Sequence, residues 1–138
     1  MANALSHVQL LIHAGLESQV LLPSDPEYAT RQASDWSKNA QISPGCILRS
    51  KSAEEVSTAL QALATADQKF AISSSGHTQY AGTNSIKGGV TIDLDLLNWT
   101  HFDGMTETVQ IGPENRWKEL SEALQEHGRV GILYRQCR

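Results

Sequence analysis

Two cysteines in 138 residues, no cluster of lysine or arginine, and no long apolar run set the first limits on this chain. Cys46 and Cys137 form no paired-thiol motif, and His7, His13, His101 and His127 lack metal-ligand spacing, so a zinc site is rejected. Both cysteines read as free thiols, Cys46 within an apolar strand-like run and Cys137 in a polar tail. A net charge of -4 and a pI near 5.7 argue against a nucleic-acid partner, which needs a basic patch. The start, Met-Ala-Asn-Ala-Leu-Ser-His, is not basic, and Leu10-Leu11-Ile12 is broken by His13. The expectation is therefore no signal segment, no membrane partner and, by default, a cytoplasmic location. Asn98-Trp99-Thr100 is a glycosylation acceptor pattern that matters only on the secretory route.

What is present is enough for a core. At 15.1 kDa the chain is one domain at most, and a globular chain of that length buries roughly two-thirds of its unfolded surface. Ala4, Leu5, Val8, Leu11 and Ile12 recur at helical spacing before Gly15. Pro23-Ser24-Asp25-Pro26 forces extended or turn geometry, a second short helix is expected over residues 27–36, and Pro44-Gly45 ends the next loop. From Cys46 the pattern becomes regular. Cys46-Ile47-Leu48-Arg49 reads as a strand, and Ser52 with Glu55 forms a capping box for a helix to about Ala66. Its apolar stripe is Val56, Ala59, Leu60 and Leu63. Phe70 to Ser73 is expected as a strand parallel to the first through a right-handed crossover. Val90, Ile92 and Leu94 alternate with Thr91 and Asp93, predicting a strand with one buried face and a structural Asp93. Thr108 to Ile111 supplies another strand after a turn at Asp103-Gly104. A last helix from about Asn115 is expected to bury Trp117, Leu120 and Leu124 and to stop at His127-Gly128.

The stretch from Phe70 to Asn84 carries the chemistry. Ser73, Ser74, Ser75 and Gly76 have little side-chain bulk, so their backbone N–H groups can approach an anion and form a nest, with His77 at its rim. By itself the favoured reading is a surface turn with a solvated imidazole. Ser75 as a nucleophile is unsupported, because the loop leads into another strand and no strand-to-helix elbow is present.

The order of the surrounding motifs is more specific. Gly88-Gly89-Val90-Thr91-Ile92-Asp93-Leu94, Leu97-Asn98, Val109-Gln110-Ile111-Gly112-Pro113 and Arg116-Trp117 follow the loop. Val20-Leu21-Leu22-Pro23-Ser24-Asp25-Pro26, Trp36-Ser37 and Pro44-Gly45-Cys46-Ile47 precede it. Together they resemble the flavin-binding domain of the vanillyl-alcohol-oxidase and p-cresol-methylhydroxylase (PCMH) superfamily. Within it, they resemble the berberine-bridge-enzyme-like oxidoreductases of fungal secondary metabolism. The resemblance implies an α+β (α/β-like) fold: an N-terminal helical arm, residues 1–41, and the first part of a PCMH-type FAD-binding domain, residues 42–138. That part holds a βαβ unit, further strands and a closing helix.

The cofactor implied is FAD, with Ser74, Ser75, Gly76, His77 and Thr78 lining its phosphates and Gly82 and Asn84 continuing the loop. His77 matches the family histidine that is commonly bonded to a methyl carbon of the flavin, since a neutral imidazole nitrogen can attack the flavin's methylene tautomer. The alternative is that His77 only hydrogen-bonds the loop or the phosphate. Gly82 is alternatively a turn residue, and Asn84 alternatively bonds its own backbone. The family loop usually reads Arg-Ser-Gly-Gly-His; here Ser73 replaces the arginine and Ser75 the first glycine, and Glu114 stands where a Pro-Gly turn is usual. A positive φ at Ser75 would strain the loop by about 1 kcal/mol or more, and the lost cation would leave phosphate charge less neutralised.

Relatives continue past His127-Gly128 into a second flavin loop and a substrate domain supplying the catalytic residues. Here the chain closes on Tyr134-Arg135-Gln136-Cys137-Arg138, resembling a frame-shifted or spliced tail, so no catalytic residue is assigned. The implied activity is hydride transfer from an alcohol or amine carbon of a small molecule, with oxygen as electron acceptor. The competing expectation is a catalytically silent fragment that acts only in assembly. A third is a small phosphate-ligand module without redox chemistry.

Overall fold

In the computed structural model, which describes residues 4–34, 37–78 and 80–131, helix α1 (Ala4–His13) opens the chain. It closes on Gly15, at φ +81°. The N–H of Gly15 donates to the Ile12 carbonyl and that of Leu16 to Leu11, both at 2.9 Å, which satisfies carbonyls a helix end would otherwise leave bare. A short 3-10 turn, Glu17–Gln19, leads to the two-residue strand β1 (Val20–Leu21). Helix α2 (Pro26–Gln32) begins with proline at its first position, where no N–H is needed. Helix α2 ends at Gln32, with Ala33 as its C-cap and Ser34 in a turn, short of the expected residue 36. The packing of Leu5, Trp36 itself, and Cys137 with the tail around it lie outside the described residues.

Strand β2 (Cys46–Arg49) is followed by helix α3 (Ala53–Thr65), then β3 (Phe70–Ser73) and β4 (Val90–Asp93). The Ser52 hydroxyl accepts from the Glu55 N–H at 3.2 Å, as the capping pattern predicts. The Glu55 carboxylate reaches back to the Lys51 N–H at 2.7 Å instead of the Ser52 N–H, and its other oxygen accepts from the Gln19 amide at 2.8 Å. One side chain therefore ties the start of α3 to the turn before β1.

The sheet order is β1-β2-β4-β3, with β1 antiparallel to β2 and both β2 and β3 parallel to β4. The two strands joined through α3 are parallel, as expected, but they are not neighbours: β4 lies between them, with Ile47, Thr91 and Ala71 in one register row. This also corrects the reading of β4 as a strand with one buried face. All four of its residues are buried, Thr91 and Asp93 included. As the central strand it meets side chains on both faces, and its polar groups are satisfied in place: the Thr91 and Ser85 hydroxyls lie 3.1 Å apart, and Asp93 has an arginine.

The main core gathers Leu11 and Leu16 with Cys46, Leu48, Ala59, Leu63, Val90 and Ile92. A separate hairpin, β5 (Thr100–Asp103) with β6 (Thr108–Ile111), turns where Asp103 Oδ1 accepts the Met105 N–H at 2.8 Å. Helix α4 (Trp117–Gln125) lies against it, burying Leu120 and Leu124 and bringing His127 to 4.8 Å from the Phe102 ring. Trp117 is 49% exposed, contrary to expectation. At the first turn of a short helix it stands beside the hairpin and not beneath it. The helix begins at Trp117 and not at Asn115, whose amide is used elsewhere: it donates to the Asn98 and Trp99 carbonyls at 3.1 Å and to Thr100 Oγ1 at 2.5 Å.

Candidate functional site

The loop of residues 74–84 leaves the C-terminal end of β3, the region of a parallel sheet where ligands bind because connecting loops converge there. Ser74, Ser75 and Gly76 are half-buried, whereas His77, Thr78 and Gly82 are exposed and Asn84 is half-buried. Positive φ falls on Gly76 (+69°) and Gly82 (+86°) and not on Ser75. The strain foreseen at Ser75 is therefore absent, because the left-handed turn is taken by the glycine that follows it. Asn84 Nδ2 donates to the Thr78 carbonyl, and Thr83 Oγ1 to the Tyr80 carbonyl at 2.6 Å. These side chains brace the loop from inside. His77 stands on its outer side with its imidazole accessible.

Beneath the loop lies a charge network that the sequence did not announce. Arg31, from α2, donates through Nη2 to Asp93 Oδ1 at 2.7 Å and through Nε to Oδ2, and through Nη1 to the Ser34 hydroxyl. Asp93 is 1% exposed, so its charge is held by this two-pronged pairing. Arg49, at the end of β2, pairs with Asp95 through Nη2 at 2.6 Å and Nε at 3.1 Å, and with Glu27 at 3.2 Å. The guanidinium of Arg31 is pushed above its ordinary range, first by its hydrogen bond to Asp93, and that of Arg49 by its bond to Asp95. The Ser50 N–H donates to the Asp93 carbonyl at 3.1 Å and the Leu94 N–H to that of Ser73 at 2.9 Å. The end of β4 is thereby fastened to both neighbours at the point where the loop departs. Asp93 is structural, as expected; Arg31 and Asp95 had no sequence signal, because α2 and β4 are 62 residues apart in that contact.

The loop's first residue meets the segment before α4. Ser74 Oγ donates to the Pro113 carbonyl at 2.7 Å and lies 3.4 Å from Glu114 Oε2. The other oxygen of Glu114 is 3.6 Å from Arg116 Nη2. Burial pushes the Glu114 carboxyl up, with Arg116 and Arg31 opposing.

Residues 44–137 match the FAD binding domain family. The chain belongs to that family. As an FAD binding domain it is 34% identical to the FAD-dependent monooxygenase yanF of Aspergillus niger, over 91% of this chain and 23% of that protein. It is 33% identical to the FAD-dependent monooxygenase macF of Penicillium terrestre, over 99% of this chain and 27% of that protein. The chain thus spans about a quarter of the length of these relatives. The fold is that of xylooligosaccharide oxidase from Myceliophthora thermophila (TM-score 0.75, 21% identity, 87% of this chain and 25% of that one). It is likewise that of a berberine bridge enzyme variant (TM-score 0.73, 22% identity, 91% of this chain and 27% of that one). The expected α+β, PCMH-type fold is therefore the observed one.

The backbone of this FAD binding domain suits a pyrophosphate: small residues, a left-handed glycine and a half-exposed turn sit at the end of a parallel strand. The charge around it is less accommodating. Arg31 is committed to Asp93, and Ser74 itself contacts a carboxylate, that of Glu114.

Proposed function

We propose that this chain supplies the pyrophosphate-binding part of an FAD-dependent oxidoreductase acting on a small molecule of secondary metabolism, with oxygen as electron acceptor. The observation that carries this reading is the position of loop 74–84 at the C-terminal end of β3 within the region matching the FAD binding domain family. The fungal monooxygenase relatives and oxidase-like structural neighbours support the reaction class. When bound, the flavin would accept a hydride from an alcohol or amine carbon.

The chain's own contribution is to hold and orient. Backbone N–H groups of residues 74–78 would face the phosphates, Asn84 and Thr83 keep the loop in shape, and the exposed His77 would serve as a tether to the flavin. The Arg31–Asp93 pair keeps the strand ends beneath the loop in register. In the test, the 138-residue protein is mixed with FAD and its visible spectrum recorded before and after acid precipitation. The expected result is yellow colour retained in the pellet of the wild type and lost in His77→Ala. A protein that never binds FAD removes the reading.

A second reading, assembly with another polypeptide, is favoured by one surface. A cavity of about 390 Å³ between the hairpin and α4 is lined by Ile111, Trp117, Leu120 and Val130, of which Val130 is 82% exposed. Such apolar exposure marks a surface that is covered in use. A monodisperse monomer over a wide concentration range would count against it.

A further inference from the structure

We infer that Glu114 sets how much negative charge the phosphate loop accepts, making it a specificity-determining residue that admits a diphosphate diester and disfavours a terminal phosphate. The inference rests on the reading of residues 74–84 as the pyrophosphate loop. Its basis is geometric. Glu114 Oε2 stands 3.4 Å from the hydroxyl of the loop's first residue, Ser74, and the Glu114 side chain is only 13% exposed. The charged groups that act on it are Arg116 from its own segment, Arg31 from α2 and Asp93 from β4.

These do not balance. Arg31 is already paired through two donors with Asp93, so its charge is largely spent there. Arg116 approaches only to 3.6 Å and is 59% exposed, so water screens much of its charge. The Ser74 hydroxyl donates at 2.7 Å to the Pro113 carbonyl and so gives the carboxylate little compensation. A carboxylate left partly uncompensated in a half-buried position repels a second anion more strongly than it would in open water. Near neutral pH a terminal phosphate monoester carries close to two negative charges, whereas each phosphate of a diester carries one. ADP therefore meets more repulsion at Ser74 than FAD. The desolvation that raises the Glu114 carboxyl has the same origin, since the charged form lacks enough partners.

The test is calorimetric titration of the 138-residue protein with FAD and, separately, with ADP at about pH 8. Wild type, Glu114→Gln and Arg116→Gln are compared. Removing the carboxylate is expected to tighten ADP binding about tenfold and FAD binding about threefold, and Arg116→Gln to shift both the opposite way. Equal affinities in wild type and Glu114→Gln for both ligands would overturn the inference while leaving the loop reading intact. Absence of binding by any form would overturn the loop reading and the inference with it. A measurement on the wild type alone guards against a variant that fails to fold. The carbon resonance of the Glu114 carboxyl must titrate at higher pH when ADP is bound, and an unmoved titration sinks the idea.

Discussion

Asp93 shows how much one buried residue can hold together. Its carboxylate accepts two donors from Arg31 and the backbone N–H of Asp95 at 3.2 Å, while its own carbonyl accepts from Ser50. Asp93→Ala would leave a half-buried guanidinium without its partner and is expected to cost about 3 kcal/mol of stability, measured by denaturant unfolding. Cys46 is the opposite case, a buried residue with no polar task. Burial pushes its thiol from 9.0 up to about 12. The folded state thus keeps a proton that the unfolded chain releases first. The stability this thiol contributes is intact below pH 9 and falls as pH rises toward 12. The thiol form is a poor nucleophile, so alkylation of Cys46 at about pH 8, followed peptide by peptide, should be slow in native protein and fast in urea. Rapid native labelling would mean that the β2 core opens readily.

At the scale of elements, the turn joining β4 to the hairpin depends on an approach that only glycine allows. A Cβ built on Gly112 would lie 2.0 Å from the Leu97 carbonyl oxygen, and the Gly112 N–H donates to the Trp99 carbonyl at 2.8 Å. Gly112→Ala must push these backbones apart, so its thermal midpoint should drop by several degrees. An unchanged midpoint would show that the segment before α4 can move freely. Much of this level was legible in the chain. The Ser52 cap, the Leu63 stripe, the Asp103-Gly104 turn and the Gly128 stop are local features, each decided by residues within one or two turns of one another. Trp117 was misjudged because helical spacing gives a face but not what lies opposite that face. The inward strand pattern of β4 was misjudged for a related reason: alternation distinguishes polar from apolar positions, and cannot reveal that a central position with an arginine nearby can bury an aspartate.

For the whole molecule, the sheet order decides where chemistry can occur. Placing β4 between β2 and β3 brings Arg49, Asp93 and Ser73 into one row and makes β3 an edge strand among the described residues, as β1 is on the other side, with Ile72 42% exposed. The loop that follows is therefore accessible at the sheet's margin, next to the segment carrying Glu114. The sequence by itself determined most of the elements, though not β1 or β5, together with the family and the small-residue loop with its histidine, since helix caps, apolar periodicity and motif order act through neighbours along the chain. Tertiary structure alone decided that Arg31 would neutralise Asp93 and that Glu114 would face Ser74. Those pairings join residues 62 and 40 positions apart, and electrostatic partners at such separations are selected by the packing of strands and helices and not by any pattern within them.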